Sequence, residues 1–374
     1  MNSPKFSNQF RGTVARIDLK ALADNLALAR ELVGEAISLM GVVKAQAYGH
    51  GALPVAKTLE AGGVQALAVA TPAEALELRE GGLQVPVFLL GGPYGAPGDL
   101  LARHRLMPVL FQEAQLAHLQ KTSNQSLGFH LKVDSGMTRL GVRLEELDEF
   151  LDRLKNYPNL RLEGLLTHLA RADETFSGPT AAQYEVFRQA VERVRERDPK
   201  VQCLHLANSA AVLGGELGGY NWARPGIMLY GSNPHPRFEA GRRLRPVMTF
   251  ETRILSLKTV PAGTAVSYGG EWVAPRPSRI AVLPVGYADG YLRRLGNRAQ
   301  VMIEGQRVPV VGRVCMDLIM VDVTDLPQVR LDQRVLLWGP GLPVEEVAGW
   351  GDTISYELLC QVSRRVPRRY EGED

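Results

Sequence analysis

Over its first ~230 residues the chain repeats one alternation, a short apolar run followed by a longer segment whose apolar residues fall at helical spacing. An opening helical segment covers Leu19 to Leu32. The runs that follow are ISLMGVVKA ending at Lys44, ALAVAT ending at Thr71, PVFLLGG ending at Gly92 and MPVLF ending at Phe111. FHLKVD ends at Asp134, LEGLLTHLA near Ala170 and CLHLA near Asn208, and WARPGIMLYG closes the series. Ala181 to Arg197 shows the helical spacing most clearly, with Phe187, Val191 and Val194 in one stripe. These runs are too apolar on alternate positions for a half-solvated sheet, so helices are expected to cover them. A doubly wound open sheet gives a similar local pattern. Eight strand–helix units decide for a parallel (β/α)8 barrel of the TIM type.

From about Pro246 the pattern changes. TFETRILSLKTV, GTAVSYG, RIAVLPVGYA, AQVMIEG, RVPVVGRV and LIMVDVT read as strands separated by Gly, Pro and Asp turns. The expected division is a barrel over 12–240, with 1–11 and 241–374 forming an N-terminal segment and a C-terminal β-rich domain. A chain of 374 residues exceeds most single cores, which agrees with two domains.

The net charge of +3 gives no reason to expect nucleic acid or a membrane as partner. The short run Arg364, Arg365, Arg368, Arg369 reads as solvated surface or interface. Cys203, Cys315 and Cys360 are odd in number and far apart, so neither a disulfide framework nor a CxxC metal site is suggested. The start has no apolar signal region, and no apolar run approaches the ~18 residues of a spanning helix. A cytoplasmic protein is expected.

Active sites of such barrels lie at the C-terminal ends of the strands. Lys44, Arg139, His168, Asn208 and Ser209 fall at or beyond those ends, and Arg224 begins the last run. A partly buried lysine loses basicity and becomes available as a Schiff-base nucleophile. A lysine snorkelling to solvent fits the same place. Tyr48-Gly49-His50-Gly51 supplies a phenol and backbone amides near a possible helix start, suited to phosphate. Asn208-Ser209 and Gly226-Ile227 follow the seventh and eighth strands, where these barrels usually bind phosphate, although Asn and Ser also cap helices. His168 and His205 lack metal-ligand spacing, and no metal is expected. No Gly-x-Ser-x-Gly elbow or P-loop lysine motif occurs.

VVKAQAYGHG, LKVDSGMTRLG, GLLTHLARAD, HLANS, RPGIMLYG, VSYGG, VGYADGY, GRVCMD and ISYELLCQVSRRVPR stand in this order along residues 12–370. With them the chain resembles the alanine racemases, enzymes of fold type III that use pyridoxal 5'-phosphate (PLP). The resemblance implies interconversion of L- and D-alanine, supplying D-alanine for peptidoglycan, in a homodimer whose sites are shared between subunits. Lys44 would hold PLP as a Schiff base and serve as one base. Tyr268, from the partner subunit, would be the other, on the opposite face of the substrate Cα. A phenol of ordinary pKa near ~10 is a poor base at neutral pH. The resemblance supplies help through His168 and Arg224. Arg224 would face the pyridine nitrogen, which a guanidinium leaves unprotonated. Arg139 would lie near the PLP phenolic oxygen and the substrate carboxylate. Lys132 matches a lysine that some members carboxylate, and a lysine paired with Asp134 is the alternative. Tyr48, Asn208, Ser209, Gly226, Ile227 and Tyr356 would hold the cofactor. Tyr287 and Met316 would narrow the partner's pocket, the backbone amide of Met316 facing the substrate carboxylate. Gln46 replaces the usual Asn of the lysine motif, and Leu318 the usual Gln after GRVCMD.

Three other readings remain at this point. A broad-specificity amino-acid racemase of the same fold would differ in pocket volume around Tyr268, Tyr287 and Met316. A non-catalytic PLP-binding homeostasis protein would lack the β-rich domain and its tyrosine. A fold-type III decarboxylase would carry a cysteine in a substrate loop, whereas Cys315 sits in GRVCMD.

Overall fold

A computed structural model describes residues 11–174 and 178–372. The chain enters through strand β1 (Val14–Asp18) and a helix over Leu19–Val33, whose first turn Asp18 caps by accepting from the Ala21 N–H. Ten further strands follow: β2 (Ser38–Val42), β3 (Ala66–Val69), β4 (Val87–Leu89), β5 (Leu106–Leu110), β6 (Leu127–Asp134), the two-residue β7 (Val142–Arg143), β8 (Leu160–Leu166), β9 (Cys203–Asn208), β10 (Trp222–Arg224) and β11 (Met248–Arg253). All but β7 and β11 pair in parallel in the ring β2-β3-β4-β5-β6-β8-β9-β10, and β10 returns to β2 with Ala223 opposite Leu39. The ring is a closed eight-stranded barrel, as the strand count predicts. β7 is a short addition beside β6. Helices such as Pro72–Glu80, entered through a capping box at Thr71 and Glu74, cover the outside. The expected stripe Phe187, Val191, Val194 is the buried face of Pro179–Arg197.

β1 differs from expectation. Counted with the barrel from the sequence, it pairs antiparallel with β11 and parallel with Arg368–Glu371, in a six-stranded sheet of the β-rich part. Its pattern Val14, Ala15 and Ile17 buried is local and does not name its neighbour. TFETRILSLKTV also divides. β11 stays in the six-stranded sheet, while Ser256–Val260 joins a three-stranded sheet with Ser278–Leu283 and Ile319–Asp322. The switch lies at Ile254, whose N–H goes to Gln333, and Leu255, whose N–H goes to Val282. WARPGIMLYG is strand only to Arg224, since Pro225 has no N–H for the ladder, and Ile227–Tyr230 coils into a 3-10 turn. The helices Val344–Trp350 and Ser355–Gln361 add to the strands expected in this part.

The arginine run near the end is only partly solvated surface. Arg365 pairs with the buried Asp289, and Arg368 donates to the carbonyls of Gly49, Val362, Ser363 and Val366. Among the described residues, no helix is long and apolar enough to cross a membrane.

Candidate active site at the C-terminal end of the barrel

The strand carrying Lys44 stops at Val42, two residues before the lysine. Ala45, Gln46, Ala47 and Tyr48 then take φ between 52° and 55°, a turn of left-handed helix. Such backbone costs about 1–2 kcal/mol per L-residue, so tertiary contacts must hold it. Glu74 accepts from the Ala45 N–H at 2.7 Å, and Gln46 donates to Glu77 at 2.8 Å. The turn also consumes amides that the sequence offered to phosphate. Gly49 N–H goes to Ala45, His50 N–H to Ala47 and Gly51 N–H to Gln46. Gly49 is required here: at φ 83°, a Cβ would stand 2.1 Å from the Leu359 carbonyl oxygen.

Four cationic side chains approach one another beyond or within these strand ends. Lys44 is lowered below its ordinary pKa by burial and then by Arg139. Lys132, on β6, is buried and brought down to about 8 by burial, Arg224 and Arg139. Arg224, at the end of β10, is wholly enclosed and is pulled down to about 10 by that burial. Arg139 lies on the exposed loop after β6. None of the four is ion-paired among the described residues. The carboxylates close by are otherwise engaged. Asp134 accepts from the N–H groups of Gly136, Met137 and Thr138, each at 3.0 Å, and not from Lys132.

Arg224 is held from several sides. It donates to the carbonyls of Thr167 at 2.7 Å and Leu206 at 3.2 Å, and to His205 Nδ1 at 3.0 Å. His168 Nδ1 lies 3.5 Å from the same guanidinium. With Nδ1 accepting, His205 carries its proton on Nε2 and donates it to His130 Nδ1, 2.8 Å away. Burial and the Arg224 charge hold His130, His168 and His205 below the ordinary imidazole range, so all three are neutral at pH 7. Phe88 packs edge-on against His130 and His205 across the barrel interior. His130 is absent from the site residues expected from sequence, where His205 enters only as a candidate metal ligand. A signal was present: His130, Lys132 and Asp134 alternate with Phe129, Leu131 and Val133, which puts one polar face inside the barrel.

Tyr48 is buried, its ring 4.8 Å from Tyr230 and 6.0 Å from Tyr356 of the β-rich part. Gly226 stands against it, where a Cβ would come within 2.6 Å of the Tyr48 hydroxyl. Ser209 Oγ accepts from the N–H of Gly226 at 2.8 Å and of Met228 at 3.4 Å, which leaves its own proton to donate. Asn208 Oδ1 caps the turn Ser209–Leu213 through the Ala211 N–H. Ile227 is buried at the start of its 3-10 turn.

Tyr268, Tyr287 and Met316 do not join this cluster within the chain. They are 71%, 43% and 53% exposed. Their loops are nonetheless tied together. Ser267 donates to the Arg313 carbonyl at 2.8 Å, Tyr287 N–H to that of Cys315 at 3.0 Å, and Ala288 N–H to that of Met316 at 3.0 Å. Of the departures from the usual motifs, Gln46 is the residue bonded to Glu77, and the Leu318 carbonyl accepts from the Cys315 N–H.

Residues 17–234 match the family described as alanine racemase, N-terminal domain, and residues 247–370 match alanine racemase, C-terminal domain. An alanine racemase of Halothermothrix orenii is 43% identical over 370 residues, covering 97% of this chain and 98% of the relative. The crystal structure of the biosynthetic alanine racemase from Pseudomonas aeruginosa superposes with a TM-score of 0.89 at 39% identity, over 97% of this chain and 100% of that one. A Bartonella henselae alanine racemase with covalently bound pyridoxal phosphate superposes with a TM-score of 0.88 at 30% identity, over 96% of this chain and 99% of that one.

Proposed function

The chain belongs to the alanine racemase family, and on that footing we propose that it interconverts L- and D-alanine using PLP held at Lys44, with Tyr268 of a second copy completing each site. The observation that carries this reading is the convergence of Lys44, Lys132, Arg139 and Arg224, with no ion pair to any of them among the described residues. Uncompensated cations at a partly closed site call for anionic occupants, and a phosphorylated cofactor and a substrate carboxylate are two.

The residues present fit the cofactor. The phenols of Tyr48 and Tyr356, the Ser209 hydroxyl and the Ile227 amide would hold the phosphate. Gly226 contributes room, because a side chain there would meet the Tyr48 hydroxyl. Asn208 supports the turn that presents Ser209. Arg224 would face the ring nitrogen. A guanidinium brought down only to about 10 still keeps its proton at neutral pH, so the nitrogen would stay unprotonated. When bound, the cofactor draws electrons from the substrate's Cα–H bond and lets it ionise.

The proton steps belong to the protein. Lys44 Nζ, made less basic by burial and Arg139, would take or return the Cα proton on one face. The partner subunit's Tyr268 would do so on the other, and exchange between opposite faces inverts the centre. His168, kept neutral beside Arg224, would link the phenol to that guanidinium. Arg139, without an ion-pair partner among the described residues, would take the substrate carboxylate with the partner subunit's Met316 amide. The partner subunit's Tyr287 would close the side-chain pocket. A cytoplasmic homodimer supplying D-alanine for peptidoglycan is the setting this reading gives.

The test is a chiral assay over a panel of amino acids with the visible spectrum recorded alongside. Alanine should racemise fastest. Lys44→Ala should lose both turnover and the absorbance of lysine-linked cofactor. Comparable rates for lysine or arginine would replace the alanine assignment with a broad-specificity one, and an unchanged spectrum in Lys44→Ala would remove Lys44 from its role.

A further inference from the structure

Asp289 is wholly buried, yet it serves no group of the cluster around Lys44. Its Oδ1 accepts from Arg11 at 2.7 Å and Arg365 at 2.6 Å, and its Oδ2 from Arg11 at 2.8 Å and the Gly286 N–H at 2.9 Å. Both arginines reach further. Arg11 donates to the Asp317 carbonyl at 3.0 Å, and Arg365 to the Asp317 carboxylate at 2.7 Å. Asp289 lies on the loop of Tyr287, and Asp317 on that of Met316. The two loops also exchange main-chain hydrogen bonds, and Gly286 packs so closely that a Cβ would stand 2.3 Å from the Cys315 carbonyl oxygen.

Burying ionic groups is seldom the cheapest route to stability, since apolar packing of similar volume often serves as well. Two guanidinium forks, Arg11 on both oxygens of Asp289 and Arg365 spanning Asp289 and Asp317, do supply geometry, because each fixes direction as well as distance. Here they clamp two loops into one slab, from which Tyr287 and Met316 project outward. The clamp draws on Arg11 and Arg365 from opposite ends of the chain.

We propose that Asp289, acting with Arg11, Arg365 and Asp317, is a positioning residue that sets how firmly the substrate pocket closes, and so how strongly alanine is preferred over larger amino acids. The inference rests on the reading above that places Tyr287 and Met316 at the second copy's pocket. One extra methylene is rejected about 10–200-fold only where the opposing wall holds its place. A tyrosine and a methionine on loops form such a wall only if the loops are held.

The experiment measures kcat/KM for alanine, serine and 2-aminobutyrate in the holoenzyme and in Arg365→Lys, Asp317→Asn and Tyr287→Ala, with cofactor content and dimer mass checked for each. Arg365→Lys keeps the charge but loses the fork. It should narrow the alanine-over-2-aminobutyrate ratio about fivefold, with Asp317→Asn doing so less. Combining Arg365→Lys with Tyr287→Ala should add nothing beyond Tyr287→Ala, because both act through one wall. Unchanged ratios in Arg365→Lys and Asp317→Asn, with a shifted one in Tyr287→Ala, would overturn the clamp and leave the site reading intact. An unchanged ratio in Tyr287→Ala would instead refute the wall itself.

Discussion

At Lys132 a primary amine lies buried beside Arg224 and Arg139, brought down to about 8, with no carboxylate ion-paired to it among the described residues. Only the uncharged amine adds to carbon dioxide, and the carbamate so formed would place an anion among three cations. We therefore expect carboxylation. Protein equilibrated with 13C-bicarbonate should show a carbamate carbon resonance that Lys132→Met lacks, and identical spectra would sink the idea. The histidines set a second property of single residues. His50 is pushed down to about 4 and His130 to about 3 by burial, and His168 and His205 are lowered in the same sense. In the unfolded chain each binds a proton near pH ~6.5. Between that pH and the folded values the unfolded state holds more protons. Stability is therefore complete above ~6.5 and falls with pH below it, by up to about 1.4 kcal/mol per unit for each group. The urea midpoint should drop between pH 7 and 5, less so in His130→Gln, and a flat profile would contradict this. These residues were only partly legible in sequence. Lys132 stood out through the family motif. His130 could be found by alternation along its strand, but Arg224 as the neighbour of His205 required the closed barrel.

Among the elements, the left-handed turn after β2 does the most to place Lys44. Its four residues are Ala, Gln, Ala and Tyr, none of which favours positive φ, so local propensity predicts something else. It persists because Glu74 and Glu77 grip it from the helix after β3, and because Gly49 lets the helix Ser355–Gln361 approach. Gly49→Ala should cost about 3 kcal/mol or more, from strain at φ 83° and the clash with a main-chain oxygen. It should also weaken cofactor retention, because Lys44 precedes this turn and Tyr48 is its last residue. Thermal unfolding with and without added cofactor reads both effects, and wild-type stability would show that the turn yields freely. The barrel strands, by contrast, were legible because an apolar run between helical segments is a local pattern. Their ends were less so. The Val42 stop and the break after Arg224 depend on partners from other strands.

For the whole molecule, the cationic cluster stands at the barrel mouth, while Tyr268, Tyr287 and Met316 stand on an outward face of the β-rich part. Tyr268, Tyr287 and Met316 form an exposed group that nothing in the chain covers among the described residues. If a second copy supplies the cover, mixing Lys44→Ala with Tyr268→Ala protein should restore activity as hybrids with one intact site form. Absence of recovery despite demonstrated subunit exchange would count against shared sites. At this scale the sequence by itself determined the barrel, the β-rich part and the chemical types at the strand ends. Strand and helix periods report burial locally, and the order of the motifs carries the family. Tertiary structure alone decided that β1 leaves the barrel for the second sheet, that Arg224 meets His205 and His168, and that Arg11 and Arg365 converge on Asp289. Each of these is a meeting of residues far apart in the chain. Local periodicity records only whether a residue is buried, whereas ring closure and sheet pairing choose what it is buried against.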